Sequence, residues 1–199
     1  MTDVLIRNQP GLAIDVDRLT NGERDELQKL GILPDGTGVL PGARNVHDRV
    51  QSTWPRAATC VSQVLNEAYD YAKPSSFSRA LALPLGDATL LLISGTASVD
   101  EHGVSVHIGD FRAQCWRTYR NITAILEANA MDWHDIVRTS CYLRDIERDY
   151  GDFNEVRTAF FTWHGLDPLP ASTGIQARLC REDLLVEIEA IAIKRTDSR

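Results

Sequence analysis

Two glutamates near the end of the chain carry the clearest chemical signal in the sequence. Glu187 and Glu189 interrupt an otherwise apolar run at 184–193, which predicts a strand. Because side chains alternate across a strand, both carboxyls are expected on one face. Two carboxylates there are costly unless they are paired, hydrogen-bonded or open to a cleft. One interpretation is a solvated edge strand, and the other is a pocket in which Glu187 acts as a general acid or base.

Cationic and nucleophilic side chains elsewhere could complete such a site. Arg79 stands among apolar neighbours and is a candidate for binding a carboxylate, although an ion pair at a subunit interface explains it equally well. Arg144 follows the predicted strand 136–143 and is a second candidate. Cys180 precedes Glu187 and could be a nucleophile, the alternative being an inert buried thiol.

Three small or polar residues are further candidates for contact with a substrate. Gly95 and Thr96 follow an apolar strand, and we expect them to line the cleft, because a missing side chain admits substrate. Asn154 is expected to reach the site from its helix.

The cysteines and histidines do not form a metal-binding pattern. The chain has four cysteines, far apart and without a Cys-x-x-Cys pair, and five scattered histidines. His102 and His107 bracket a glycine, but no third ligand is evident. We therefore predict neither a metal nor a cofactor.

Composition limits the class of protein. The 199 residues, 43% of them hydrophobic, suffice for one compact domain with an extension. No apolar run approaches the roughly 20 residues that cross a bilayer, and the first residues lack a signal-peptide pattern, so a cytoplasmic protein without membrane contact is expected. A net charge of -7 disfavours nucleic-acid binding.

The hydrophobic periodicity predicts an α+β domain that positions these side chains. Asp110 is expected to cap a helix of about five turns, and a second helix is predicted around Phe153–Phe161. Six strands are predicted, at 77–83, 89–95, 104–108, 136–143, 172–179 and 184–193. They form a mixed six-stranded sheet with both helices on one face. The opposite face is too apolar for water, so we predict an oligomer that covers it.

The N-terminal part carries weaker signals. A short helix is predicted at 20–30 and a longer one at 57–72, which ends before Pro74. We interpret residues 1–72 as an extension that packs on a main domain at 73–199.

Several short words in this order resemble the Rid/YjgF family of reactive-intermediate deaminases, also labelled L-PSP. The resemblance covers roughly 77–194. The words are Ile93-Ser94-Gly95, Ala113-Gln114, Asn121-Ile122, Asp135-Ile136-Val137-Arg138-Thr139, Asn154 with Phe160-Phe161, and Val186-Glu187-Ile188-Glu189-Ala190. The resemblance implies a chorismate-mutase-like α+β fold and a homotrimer with clefts between subunits.

The family pattern matches this chain at one site position and departs from it at another. Glu187 matches the glutamate that positions a water in the deaminases. The arginine of the family's Pro-Ala-Arg-Ser word, which grips the substrate carboxylate, is replaced by Ala171 or Ser172. A hydroxyl cannot replace a bidentate guanidinium.

A second resemblance, within the same fold, is to the C-terminal catalytic half of the chorismatases, which hydrolyse the enolpyruvyl ether of chorismate. It rests on Ser94-Gly95-Thr96-Ala97-Ser98, His107-Ile108-Gly109-Asp110 and Cys180-Arg181-x-Asp183-Leu184. It implies that Glu187 protonates the enol methylene and that Cys180 lies near the substrate. The N-terminal part of this chain is shorter than theirs.

We therefore expect a small-molecule hydrolase or lyase of a specialised pathway, with Glu187 as acid or base. Its substrate would be an enamine or imine, or an enol ether, of a small carboxylic acid. The alternative is a non-catalytic Rid-like protein that binds small carboxylates or protein partners. The acidity of the chain disfavours the ribonuclease activity attributed to some family members.

Overall fold

The computed structural model describes residues 16–33, 65–68, 71, 75 and 77–195. Three α-helices and five strands are present in these ranges. They are α1 Asn21–Lys29, β1 Ala80–Leu85, β2 Ala88–Ala97, α2 Phe111–Ala128, β3 Ile136–Leu143, α3 Ile146–His164, β4 Ala171–Gln176 and β5 Val186–Arg195. The strands form one sheet in the order β1-β2-β5-β3-β4. Only the β3–β4 pair is parallel.

The helices of the main domain begin and end where the local chemistry favours it. Asp110 caps α2 by accepting a hydrogen bond from the Ala113 amide at 2.9 Å, as predicted from the sequence. Asp145 caps α3 in the same way. Gly165 ends α3 in the left-handed conformation at φ 62°, which glycine adopts without strain.

The sheet has one covered face and one open face. Val186, Ile188 and Ala190 of β5 are buried in the core that α2 and α3 share with the sheet. The α+β class and the placement of the helices are therefore confirmed. On the other face, large apolar side chains of β1 and β2 remain exposed in the single chain, namely Leu81, Leu83, Leu85 and Leu92. This open face is the surface that was predicted to be covered by other subunits.

The predicted strand at 104–108 is wrong. This segment makes a single bridge, between Val99 and Ser105. Gly103 adopts a left-handed conformation at φ 76°, and the Asp100 carboxylate accepts hydrogen bonds from the amides of His102 and Val104. These local bonds close a loop in place of a sixth strand within the described residues.

The N-terminal predictions have mixed outcomes. The helix expected at 20–30 is confirmed as α1, which Thr20 and Glu23 start with a reciprocal capping box. Most of the helix expected at 57–72 lies outside the described residues. Its described members, 65–68 and 71, are not α-helical. No helix in the described ranges is long and apolar enough to cross a membrane.

Buried carboxylates attach α1 to α2 and to the loop before it. Glu23 accepts a hydrogen bond from Arg112 at 2.7 Å. Glu26, whose side chain is 1% exposed, lies 2.9 Å from Arg120 and 2.9 Å from His107. Asp25, Glu26 and His107 also bring one potential metal ligand each within 4.8 Å of one another. Because the Arg120 guanidinium and the His107 ring already contact the Glu26 carboxylate, we interpret this cluster as a polar network that docks α1.

Removal of the Glu26 carboxylate is expected to destabilise the protein. Glu26→Ala leaves Arg120 and His107 without their buried partner, which costs about 3 kcal/mol. The control is Asp25→Ala on the same helix, whose exposed pair with Lys29 is worth less than about 1 kcal/mol. Urea denaturation measures both free energies of unfolding. Equal losses in the two variants would contradict this role for Glu26.

Candidate functional site

Glu187 lies on β5 with its carboxyl on the face of the sheet that the helices do not cover. It pairs with Ala97 of β2 and with Tyr142 of β3, whereas its neighbours Val186 and Ile188 point into the core. The side chain is half-buried. The strand alternation predicted from the sequence is thus present, and it places Glu187 and Glu189 on the same face.

Gly95 makes the space that the Glu187 carboxyl occupies. One extra residue in β2 shifts its register against β5 between Ile93 and Thr96, and Gly95 stands within this bulge. A Cβ atom at Gly95 would lie 2.0 Å from Oε1 of Glu187, closer than any two such atoms can approach. The bare backbone at Gly95 therefore permits the observed position of the carboxyl.

The surroundings of Glu187 favour its neutral form. Burial raises the pKa of Glu187 above its ordinary value, and the nearby Glu189 carboxylate raises it further. The positive charges of Arg79 and Arg181 act in the opposite direction, but the net pKa shift is upward. Tyr142 also has a raised pKa, because of burial and then because its hydroxyl bonds to Glu189.

Arg79 is nearly fully buried beside this region. Its Nε donates to the carbonyl oxygen of Asn66 at 3.1 Å, and its Nη2 donates to the hydroxyl of Tyr71. The guanidinium also lies over the rings of Tyr71 and Phe77, 5.0 and 5.1 Å from their centroids. The backbone carbonyl of Arg79 accepts a hydrogen bond from the amide of Ser94, next to Gly95.

Arg181 and Tyr71 lie in the same region, although the sequence did not single them out as site residues. Nη1 of Arg181 donates to the carbonyl oxygen of Gly103 and lies 3.4 Å from Oγ of Ser105. The ring of Tyr71 packs so closely on Gly103 that a Cβ atom there would lie 2.4 Å from it. The positive charges of Arg79 and Arg181 both act to lower the pKa of Tyr71, although burial raises it overall.

Arg144 and Cys180 flank the turn that precedes β5. Nε of Arg144 donates to the carbonyl of Leu184 at 2.6 Å, and its Nη2 donates to the carbonyl of Arg181. The guanidinium of Arg144 therefore holds the backbone of this turn. Cys180 is exposed and has a free thiol.

Asn154 and the side chain of Thr96 lie on the covered face of the sheet. Asn154 accepts a hydrogen bond from Arg157, which also donates to Ser172 at 3.2 Å. Ser172 bonds to Thr139, which pairs with Ala190 on the core side of β3. Thr96 pairs with the buried Ile188. Within one chain, the structure brings together Glu187, Gly95 and Arg79, but not Asn154.

A groove adjoins Glu189 on the open face. It has a volume of about 530 Å³ and is lined by apolar side chains together with Ser94, Arg138, Ser140 and Glu189. Ser94 connects this groove to Gly95 and so to Glu187. A carboxyl whose pKa is raised, two arginines and an adjoining groove form an arrangement suited to proton transfer on a small anionic molecule.

Known proteins resemble this chain over the part that carries the sheet and helices α2 and α3. The family model described as Endoribonuclease L-PSP matches residues 71–194. A RutC family protein of Pyrococcus horikoshii is 33% identical over 104 residues, which cover 52% of this chain and 79% of the relative. A 2-iminobutanoate/2-iminopropanoate deaminase of Salmonella typhimurium is 33% identical over 107 residues, covering 54% and 81% respectively.

Solved structures show the same fold. The yjgF gene product of Escherichia coli superposes with a TM-score of 0.55 at 26% identity, covering 71% of this chain and 100% of that one. A protein of Vibrio vulnificus described as a translation initiation inhibitor gives 0.53 at 29% identity, covering 66% and 98% respectively.

Proposed function

We propose that this chain, which belongs to the endoribonuclease L-PSP family, hydrolyses the imine of a small 2-imino acid. Glu187 serves as both the acid and the base in this reaction. The observation that carries the proposal is the Glu187 carboxyl itself, half-buried against Gly95 with a raised pKa. The relatives named 2-iminobutanoate/2-iminopropanoate deaminases support an imine as the substrate.

The proposed reaction converts an imine and water into a keto acid and ammonia. The Glu187 carboxylate accepts a proton from water as the oxygen attacks the imine carbon, and the new C–O bond forms as the C=N π bond breaks. The carboxyl then returns that proton to the nitrogen, which gives a carbinolamine. Glu187 next accepts the proton of the new hydroxyl group and passes it to the nitrogen, the C=O double bond forms as the C–N bond breaks, and ammonia leaves. Arg79 would bind the substrate carboxylate, and Gly95 would leave the room that the Glu187 carboxyl needs.

A second candidate is the hydrolysis of an enol ether of chorismatase type. It is favoured by the raised pKa of Glu187, because this chemistry needs a carboxylic acid that is still protonated near neutral pH. Glu187 would protonate the methylene carbon, water would add to the resulting oxocarbenium ion, and the hemiketal would release pyruvate and an alcohol. Exposed Cys180 would lie near this substrate.

The two candidates predict opposite pH dependences. Imine hydrolysis needs ionised Glu187, so kcat rises as pH increases through its raised pKa. Enol-ether cleavage needs the protonated form, so kcat falls over the same interval. The measurement is kcat against pH with 2-iminobutanoate, generated in place from threonine by a dehydratase, and with chorismate, after subtraction of the spontaneous rates.

The same assay tests the proposal as a whole. Release of 2-oxobutanoate above the spontaneous rate supports the imine reaction, and release of pyruvate from chorismate supports the alternative. If neither compound turns over, the non-catalytic alternative, a protein that binds small carboxylates, replaces both. The homotrimer is also proposed here, because it would cover the open face, and sedimentation equilibrium would measure the mass.

A further inference from the structure

We propose that Arg181, which lies in the turn before β5, binds the carboxylate of the substrate together with Arg79. This inference rests on the proposed function, because it names the group that fixes a small 2-oxo or 2-imino acid beside Glu187.

Strand β4 does not supply the guanidinium at the family position. That position falls on Ala171 or Ser172, and the hydroxyl of Ser172 is already bonded to Thr139 at 3.0 Å. Ser172 also lies on the face of the sheet opposite to Glu187, as its contact with Arg157 indicates. A carboxylate beside Glu187 therefore needs a different cationic partner.

A continuous set of contacts connects Arg79 to Arg181 through Tyr71 and Gly103. Arg79 donates to the Tyr71 hydroxyl, the Tyr71 ring packs on Gly103, and the Gly103 carbonyl accepts from Arg181. Gly103 has no side chain to separate the ring from the turn, and its left-handed conformation, φ 76°, fixes the carbonyl. Both arginines are near enough to Glu187 for their charges to act on it.

Toward the residues that the structure describes, the guanidinium of Arg181 leaves one edge unoccupied. The contacts described for it, to Gly103 and Ser105, both use Nη1. The edge formed by Nε and Nη2, which can bind a carboxylate through two parallel hydrogen bonds, is not used by them. Arg79 uses Nε and Nη2 in its own contacts, so its Nη1 is the atom that would contact the substrate carboxylate.

The backbone that carries Arg181 is held in place. Arg144 donates to the carbonyls of Arg181 and Leu184, and its own amide bonds to the Leu185 carbonyl at 2.9 Å. Asp183 accepts a hydrogen bond from Ser105 at 3.0 Å, which joins the turn to the loop that carries Gly103. A guanidinium held by a fixed turn loses less conformational entropy when it binds a ligand.

Binding of 2-oxobutanoate tests this inference without requiring turnover. Arg181→Gln should weaken its Kd by about tenfold to a hundredfold, the effect of losing a charge-assisted bidentate contact. Arg181→Lys should recover only part of that loss, since lysine restores the charge but not the two parallel N–H donors of the guanidinium. The matched control is Arg178→Gln, an exposed arginine close by in sequence, which should bind as the wild type does. Equal Kd values for Arg181→Gln and Arg178→Gln would overturn the inference.

A spectroscopic measurement on the unchanged protein gives an independent result. The Nε–H signal of Arg181 should shift on titration with 2-oxobutanoate and should not shift with its uncharged methyl ester. A shift confined to other arginines would overturn the inference even if Arg181→Gln does not fold. Binding that depends on Arg181 without any imine turnover would support Arg181 as the carboxylate-binding residue and would exclude the proposed reaction. Normal turnover with binding independent of Arg181 would support the proposed reaction and overturn the role of Arg181.

Discussion

Glu187→Gln should lower the turnover of 2-iminobutanoate by about a thousandfold, because an amide cannot accept and return the proton that the reaction moves. The amide has nearly the same shape as the carboxyl, so the contact with Gly95 and the packing of β5 should persist. The measurement is steady-state release of 2-oxobutanoate by the wild type and the variant at equal concentration. Glu127→Gln, an exposed glutamate on α2, is the control and should retain full activity.

Stability measurements separate this loss from unfolding. The folded-state pKa of Glu187 is raised, so the native state binds more protons than the unfolded state between the ordinary and the raised pKa. Wild-type stability therefore falls as pH increases through that interval. Glutamine removes this pH dependence. At pH values above that interval, Glu187→Gln should melt at the same temperature as the wild type or at a higher one. Full activity in a folded Glu187→Gln variant would remove Glu187 from the mechanism.

Gly95→Ala should lower turnover by about a hundredfold, the scale of effect when a reacting group is displaced by roughly 1 Å. The new Cβ would lie 2.0 Å from Oε1 of Glu187, so the carboxyl must leave its present position. The control is Gly151→Ala on α3, where nothing lies within 4 Å of the position that the new methyl group would take. Gly151→Ala should leave turnover unchanged.

A double variant distinguishes displacement of Glu187 from general damage to the strand. If Gly95→Ala acts through Glu187, it should add almost nothing to the loss already caused by Glu187→Gln. Independent, multiplying losses would show that Gly95 matters for another reason, such as the integrity of the bulge in β2.

The sequence predicted those parts of the molecule in which local pattern decides the structure. The β-branched run of β3 has the bounds that were expected, 136–143, and Asp110 caps α2. The alternation along β5 placed Glu187 and Glu189 on one face. The strand predicted at 104–108 was wrong because the side chain of Asp100 accepts hydrogen bonds from the backbone amides of His102 and Val104 and closes a loop.

The remaining parts of the site come from contacts between distant segments, which no local period reveals. Tyr71, Gly103 and Arg181 meet only after the chain has folded. The motif Cys180-Arg181 was visible in the sequence, yet it gave no role to Arg181. Its role depends on the Gly103 carbonyl and on the carbonyls that Arg144 holds, and neither follows from composition or spacing.

The most direct test of the central claim is a crystal structure of the protein with 2-oxobutanoate, the product expected from 2-iminobutanoate. We expect the carboxylate to bind at Arg79 and Arg181 and the C2 oxygen to lie within hydrogen-bond reach of Glu187, directly or through one water. Binding of the keto acid at a site remote from Glu187, with that carboxyl turned into open solvent, would contradict the account.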